Sequence, residues 1–216
     1  MTDSDAFRLR VIHEGWNTFG IATLRLPDGR IVDRALEHHG EAAGVLPYDA
    51  ERRCVLLVRQ ERVGPLYWGD PDPLPEVPSG GLDGKAADVT AIEEAFEEAG
   101  VELVELELVV QAYAMPSVSS ERIWLYLAPY TSAARTGAGG GLAQEGERMV
   151  VEEVSLRDLA RLMSEGNLRD MKTLVLAQAL HLRRPDLFTA GPVDPSPEMV
   201  RGRRPINRSG HPSVTR

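Results

Sequence analysis

Residues Glu76–Val101, EVPSGGLDGKAADVTAIEEAFEEAGV, decide how this chain is read. A strand-like start runs into a Gly-rich turn and then into a helix carrying Glu93, Glu94, Glu97 and Glu98. At about 100° per residue, Glu94, Glu97 and Glu98 share one face. Val89, Ile92, Phe96 and Ala99 are expected on the roughly opposite, core-facing side. Like charges three or four apart destabilise a helix by about 0.2–0.5 kcal/mol per pair. A helix that accumulates them, and is also anchored to a core, suits a hard divalent cation. Mg²⁺ takes carboxylate oxygens and completes its shell with water and substrate phosphate. Gly80 and Gly81 bring backbone groups to the start of this helix, where anions bind. Taken alone, the same acidic run also fits a solvated helix face.

Size and composition narrow the class. The chain has 216 residues, room for one main domain and a small accessory one. Its hydrophobic content of 43% and charged content of 26% are those of an ordinary globular protein. No apolar run is long enough to span a bilayer, and the polar start MTDSDAFRLR does not read as a secretory signal. Cys54 is the single cysteine, which excludes an internal disulfide and fits a reducing cytoplasm. Within CVLLV it reads as a buried, inert thiol. The net charge of −9 argues against nucleic acid as a partner. From Gly191 to Arg216, five arginines face only Asp194 and Glu198, and five prolines interrupt the segment. That composition predicts a disordered basic tail.

Strand-like runs FRLRVI, TFGIATLRL and RIVDRAL fill the N-terminal part, with Pro27-Asp28-Gly29 as a turn between the last two. This unit is too small to bury much area alone and should pack on the main domain or on a second subunit. AAGVLPYD and RRCVLLVRQERV read as two strands joined at Asp49–Arg52. Residues 63–75 read as a loop whose Tyr67 and Trp68 either stack on a base or fill a dimer contact. VELVELELVV alternates as a half-buried strand, RIWLYLAPY and MVVEEV are further strands, and TSAARTGAGGG is flexible by composition. Ser155 with Asp158 predicts a capped helix, and RDMKTLVLAQALHLRR a last helix stopped by Pro185. The expected architecture is α/β (α+β), a sandwich with a mixed sheet between helices. His38 and His39 have no third partner at zinc spacing and read as accessory-domain surface or interface.

The Glu-rich segment resembles the box of the Nudix hydrolases, G-x5-E-x7-R-E-U-x-E-E-x-G-U with U aliphatic. Glu94, Glu97, Glu98, Gly100 and Val101 match, with Ala95 at the first U. Three positions depart: Ser79 stands at the first Gly, Lys85 at the early Glu and Glu93 at the Arg. In the family that Arg and early Glu orient the helix, while the later glutamates bind metal. Lys85 therefore either competes with a cation or pairs with Glu93.

The resemblance extends over roughly residues 7–184 and is closest to the branch that cleaves ADP-ribose and GDP-mannose. Gln60-Glu61-Arg62 corresponds to its Q-x-R motif, and Glu76 to a Glu before the box. Pro116-Ser117-Val118-Ser119-Ser120-Glu121 corresponds to a P-G-G-x-[ST]-E loop that has lost both glycines. Gly139–Gly141 then leads to an acidic E-x-E, Glu145-Gly146-Glu147, and Arg169-Asp170-x-Lys172-Thr173 opens the last helix. The resemblance implies a Nudix α/β/α sandwich with an N-terminal β dimerisation domain at 1–46, a hydrolase domain at 47–186 and the tail at 187–216. It implies Mg²⁺ (or Mn²⁺) held by Glu94, Glu97, Glu98 and the Ser79 carbonyl. It implies Glu147, then Glu145, as the catalytic base, and substrate contacts from Arg62, Glu76, Glu121, Gly80 and Gly81. For Arg62 the other role is an ion pair with Glu61 or Glu76. The implied reaction is hydrolysis of a nucleoside diphosphate sugar to nucleoside monophosphate and sugar phosphate, by a cytoplasmic homodimer. A different class also fits: a nucleotide-sugar binding or sensor module that has lost turnover with the box positions at Lys85 and Glu93.

Overall fold

The computed structural model describes residues 7–142 and 148–189. Three strands open the chain: β1 (Phe7–Glu14), β2 (Thr18–Arg25) and β3 (Ile31–His38), an antiparallel sheet in the order β1-β2-β3. The β2–β3 turn is the expected one. Gly29 takes φ 84, and Asp28 accepts a hydrogen bond from Arg30 N at 3.0 Å.

The second sheet holds seven strands. β4 (Glu41–Asp49) and β5 (Cys54–Gln60) are joined by a turn in which the Asp49 carboxylate accepts from the amides of Glu51 and Arg52. β6 (Leu74–Glu76) and β7 (Ser79–Gly81) precede helix α2 (Ala87–Ala99), and β8 (Glu107–Tyr113), β9 (Arg122–Pro129) and β10 (Val150–Ser155) follow it. The main order is β10-β5-β4-β9-β8, with β4 and β9 parallel and β5 antiparallel to β10. β4 and β5 pair only at Tyr48↔Val55 and Asp49↔Cys54. Beyond those registers the two strands part. β7 adds to β4 and β6 adds to β5, so the sheet forks.

Period-two alternation gives the sheet two buried faces. Val45, Leu56, Val58, Tyr126 and Ala128 pack with Ala91, Ala95 and Ala99 of α2. Leu46, Val55, Leu57, Leu125 and Leu127 pack on the other side with Leu159, Leu176 and Leu180 of α3 (Leu156–Ser164) and α4 (Met171–Arg183). The result is the α/β/α sandwich with a mixed sheet, beside a separate small antiparallel sheet. Ser155 caps α3 by accepting from Asp158 N at 3.0 Å, as the capping-box spacing predicts. Cys54 is buried beside the Tyr130 hydroxyl, 3.6 Å away, and burial pushes its thiol pKa up. Among the described residues, no helix is long and apolar enough to cross a membrane.

Several expectations are corrected. Residues 63–75 are not all loop, since a short helix α1 (Val63–Tyr67) precedes β6. Tyr67 and Trp68 meet edge to face at 5.5 Å and are exposed. VELVELELVV is a strand only from Glu107, where β9 supplies a partner, starting at Glu107↔Leu127. The boundary expected after residue 46 falls inside β4, which belongs wholly to the large sheet. TSAARTGAGGG is docked by its glycines onto the end of α2.

The core-facing side of α2 is also different. Val89 and Phe96 are each 44% exposed, and the buried positions are Thr90, Ala91, Ala95, Glu98 and Ala99. The helix lies close to β4 and β7, and close approach selects the small side chains over the large ones. Ala95→Leu therefore overpacks this contact and costs about 1–3 kcal/mol. Val89→Ala stays within about 0.5 kcal/mol. Thermal or denaturant unfolding of the two variants checks the ranking.

Candidate active site

The fork brings the site residues together. β6 ends at Glu76 on the β5 side, and β7 begins at Ser79 on the β4 side. Glu76 is 3% exposed. A buried carboxylate needs a charged partner, and Arg62, just past β5, supplies one. Its Nε and Nη2 donate to Glu76 Oε1 and Oε2, each at 3.0 Å. Lys172 Nζ lies 3.5 Å from Oε2. Burial opposes the guanidinium charge, but the Glu76 hydrogen bonds, helped by Glu98 and Asp170, raise the Arg62 pKa overall.

Ser79 N donates to Glu98 Oε2 at 2.9 Å. Glu98 is 2% exposed although it is the last residue but one of α2. Glu94 lies one turn earlier on the same face. The Glu94 carboxylate lies against Gly80, where a Cβ would otherwise stand. Glu97 is half-buried beside them. Gly100, in the left-handed region at φ 68, ends α2. Gly140 N and Gly141 N then donate to the carbonyls of Glu98 and Glu97, at 2.8 and 3.1 Å. The Gly-rich segment thus satisfies the terminal carbonyls of α2. Its backbone is also held on the far side by Met149 N, which donates to Gly140 O at 3.1 Å.

The structure gathers Arg62, Glu76, Ser79, Gly80, Glu94 and Glu98, with Glu97 adjoining. Gly81 pairs with Ala42 at the exposed end of β7. Arg62 takes the ion-pair role with Glu76. Glu121 stands in another cluster, 3.4 Å from His39 Nε2. Glu145 and Glu147 lie outside the described residues. Lys172 and Thr173, at the start of the last helix, are functional candidates that sequence reasoning missed: Lys172 reaches Glu76 and Thr173 meets Val77 N. The Asp170-x-Lys-Thr pattern was the available signal.

His38 and His39 form a knot between the two sheets. His38 Nδ1 meets Ser120 Oγ at 2.7 Å, and His39 lies between Glu37 and Glu121. Ser119 Oγ donates to Glu37 at 2.8 Å, and Trp16 stacks on the His39 ring at 5.2 Å. Burial disfavours the His39 charge, but the two carboxylates outweigh it and its pKa is raised.

Among the described residues, no three His, Cys, Asp or Glu side chains stand close enough to hold a metal ion alone. The donor chemistry still fits a hard cation. Magnesium usually takes only one or two carboxylates, the remaining ligands being water and substrate phosphate. Glu94 and Glu98 supply such carboxylates on one helix face, beside a stretch of backbone with no intervening side chain at Gly80.

A family model for the NUDIX domain matches residues 38–174. A GDP-mannose pyrophosphatase of Cronobacter sakazakii is 36% identical over 159 residues, 72% of this chain and 82% of that protein. Another from an Enterobacter species is 34% identical, covering 69% and 78% of the two chains. A third, from Klebsiella pneumoniae, is 31% identical, covering 79% and 88%. The chain belongs to the Nudix hydrolase family. Enzymes of this family use divalent metal cations.

Lys85 Nζ donates to Glu93 Oε2 at 2.6 Å, tying the turn after β7 to α2. Two of the three box positions that depart from the family pattern thus face each other with reversed signs. Glu93→Arg alone places two cations together and lowers both melting temperature and turnover. Adding Lys85→Glu restores both. Melting curves and kcat/KM for the two variants and wild type check this.

Proposed function

We propose that this chain is a Nudix pyrophosphatase that hydrolyses a nucleoside diphosphate sugar of the GDP-mannose or ADP-ribose type. The observation that carries it is the seat of Glu98, a buried carboxylate hydrogen-bonded to Ser79 N, with Glu94 packed against Gly80 one turn away. The names of the relatives support the substrate class. The products are a nucleoside monophosphate and a sugar phosphate.

Glu94, Glu97, Glu98 and the Ser79 carbonyl are the residues that would hold Mg²⁺ or Mn²⁺. When bound, the metal neutralises diphosphate charge and acidifies a water. Glu98 is fixed by the Ser79 amide, which limits the reorganisation needed on binding. The Arg62–Glu76 pair places a guanidinium beside Glu98 and balances its buried charge. Glu147, with Glu145 next, takes the proton from the attacking water. That water adds to one phosphorus as the bond from phosphorus to the bridging oxygen breaks. The assignment is supported by Gly140 and Gly141, a few residues earlier in the chain, whose amides are bonded to the last turn of α2.

The same proposal includes a cytoplasmic homodimer. Phe7, Ile12, Phe19 and Ile31 of the small sheet are exposed, and Trp16 is 85% exposed. A three-stranded sheet with both faces open leaves apolar area that a second copy can cover. Light scattering is expected to show a dimer, and Ile12→Asp with Ile31→Asp to give a monomer. A wild-type monomer would count against the assembly.

Turnover of GDP-mannose and ADP-ribose with Mg²⁺ or Mn²⁺ tests the activity. Metal-dependent release of nucleoside monophosphate is expected. Glu98→Gln removes the charge that holds the metal and abolishes most of that release, and Glu147→Gln lowers kcat by roughly 10²–10⁴-fold. A folded protein that binds these compounds and releases nothing would be the sensor module instead.

A further inference from the structure

Between β6 and β7 the chain crosses from one half of the forked sheet to the other. Val77 and Pro78 make the crossing. Pro78 has no N–H, and its carbonyl accepts from Val45 N at 3.0 Å. Val77 is buried and stands in neither ladder, so its N–H requires a partner from outside the sheet. Thr173 of α4 supplies it. Its hydroxyl accepts from Val77 N at 2.8 Å and donates to Asp170 Oδ2 at 2.7 Å. Thr173 is 0% exposed. Asp170 also caps α4, accepting from Thr173 N at 2.9 Å, and its other oxygen accepts from Lys172 Nζ at 2.9 Å. Lys172 reaches back to Glu76, the residue before Val77.

Three consecutive tethers therefore hold the crossing. Arg62 and Lys172 hold the Glu76 side chain, Thr173 holds the Val77 amide, and Glu98 holds the Ser79 amide. The outer two end on side chains that are charged. The middle one is a neutral hydroxyl in a dry interior, with both its donor and its acceptor capacity used. Capping needs only the Asp170 carboxylate; packing needs only a methyl-bearing side chain of this size. Neither accounts for a hydroxyl aimed at a backbone amide 96 residues away in sequence.

We propose that Thr173, oriented by Asp170, is a positioning residue for the metal site. It sets how deep the Glu76–Ser79 segment sits against α2, and so keeps the Ser79 backbone in register with Glu98 and Glu94. This rests on the hydrolase reading. Partners of this kind, which orient metal ligands without touching the metal, change affinity or activity by roughly 10–100-fold when removed.

The test compares Thr173→Val, which keeps the shape and loses the hydroxyl, with Thr173→Ser, which keeps the hydroxyl. Three readouts are taken: amide hydrogen exchange, calorimetric titration with Mn²⁺ alone, and kinetics. In Thr173→Val, amides of residues 77–81 exchange faster while those of β9 keep their protection. Mn²⁺ affinity falls about tenfold or more. At saturating metal, kcat drops more than KM rises. Thr173→Ser recovers most of each loss. Faster exchange throughout the core, with Mn²⁺ affinity unchanged, would overturn the proposal and leave Thr173 as packing alone. If Thr173→Val does not fold, Asp170→Asn is read by the same three measurements, with the same outcomes deciding. A wild type that binds Mn²⁺ without turnover refutes the hydrolase reading only, because exchange and titration still decide the positioning.

Discussion

The site depends on the parting of two strands. β4 and β5 pair over two registers and then diverge, and the chain between β6 and β7 fills the fork. A gap in a sheet leaves backbone groups without ladder partners, and such groups cost about 1–3 kcal/mol each when buried and unmade. Here two of them are met by side chains from other elements: Ser79 N by Glu98 of α2 and Val77 N by Thr173 of α4. The irregular stretch that satisfies the fork is the same stretch whose backbone the proposed mechanism turns toward the metal. Structural need and chemical use coincide at Ser79 and Gly80.

Charge is arranged by alternation. Asp170, Lys172, Glu76, Arg62 and Glu98 follow one another from the start of α4 to the end of α2, so each charge has a neighbour of opposite sign. Removing one member of such a buried set leaves its neighbour uncompensated, which costs more than the pair contributes. On the exposed side of α2 the stakes are lower. Lys85 and Glu93 are solvated, so their pair contributes only a modest free energy and its main effect is to fix the turn. A reversed pair preserves that tie because the attraction does not depend on which partner carries which sign.

Most of the fold was legible because its signals are local. Period-two runs gave the strands, Pro27-Asp28-Gly29 and Ser155 gave a turn and a cap, and the spacing from Glu94 to Val101 pointed to the family. The misreadings share a physical cause. Counting large apolar residues on α2 pointed to Val89 and Phe96, whereas the fit against the sheet selected alanines and buried Glu98. VELVELELVV alternates throughout, but only the half that found β9 became strand. The GAGGG run reads as flexible until the carbonyls at the end of α2 give its amides partners.

By itself the sequence determined the helix that carries the glutamates, the Gly-rich turn that leads into it, and the family to which the chain belongs. These depend on residue type and spacing along one segment. Only the tertiary structure decided that Lys85 faces Glu93, that Arg62 clamps Glu76, that Glu121 joins His39, and that Thr173 meets Val77. Each of these joins residues from different elements. Their distance is set by how the sheet forks and how the helices lie on it, not by any pattern within one stretch of chain.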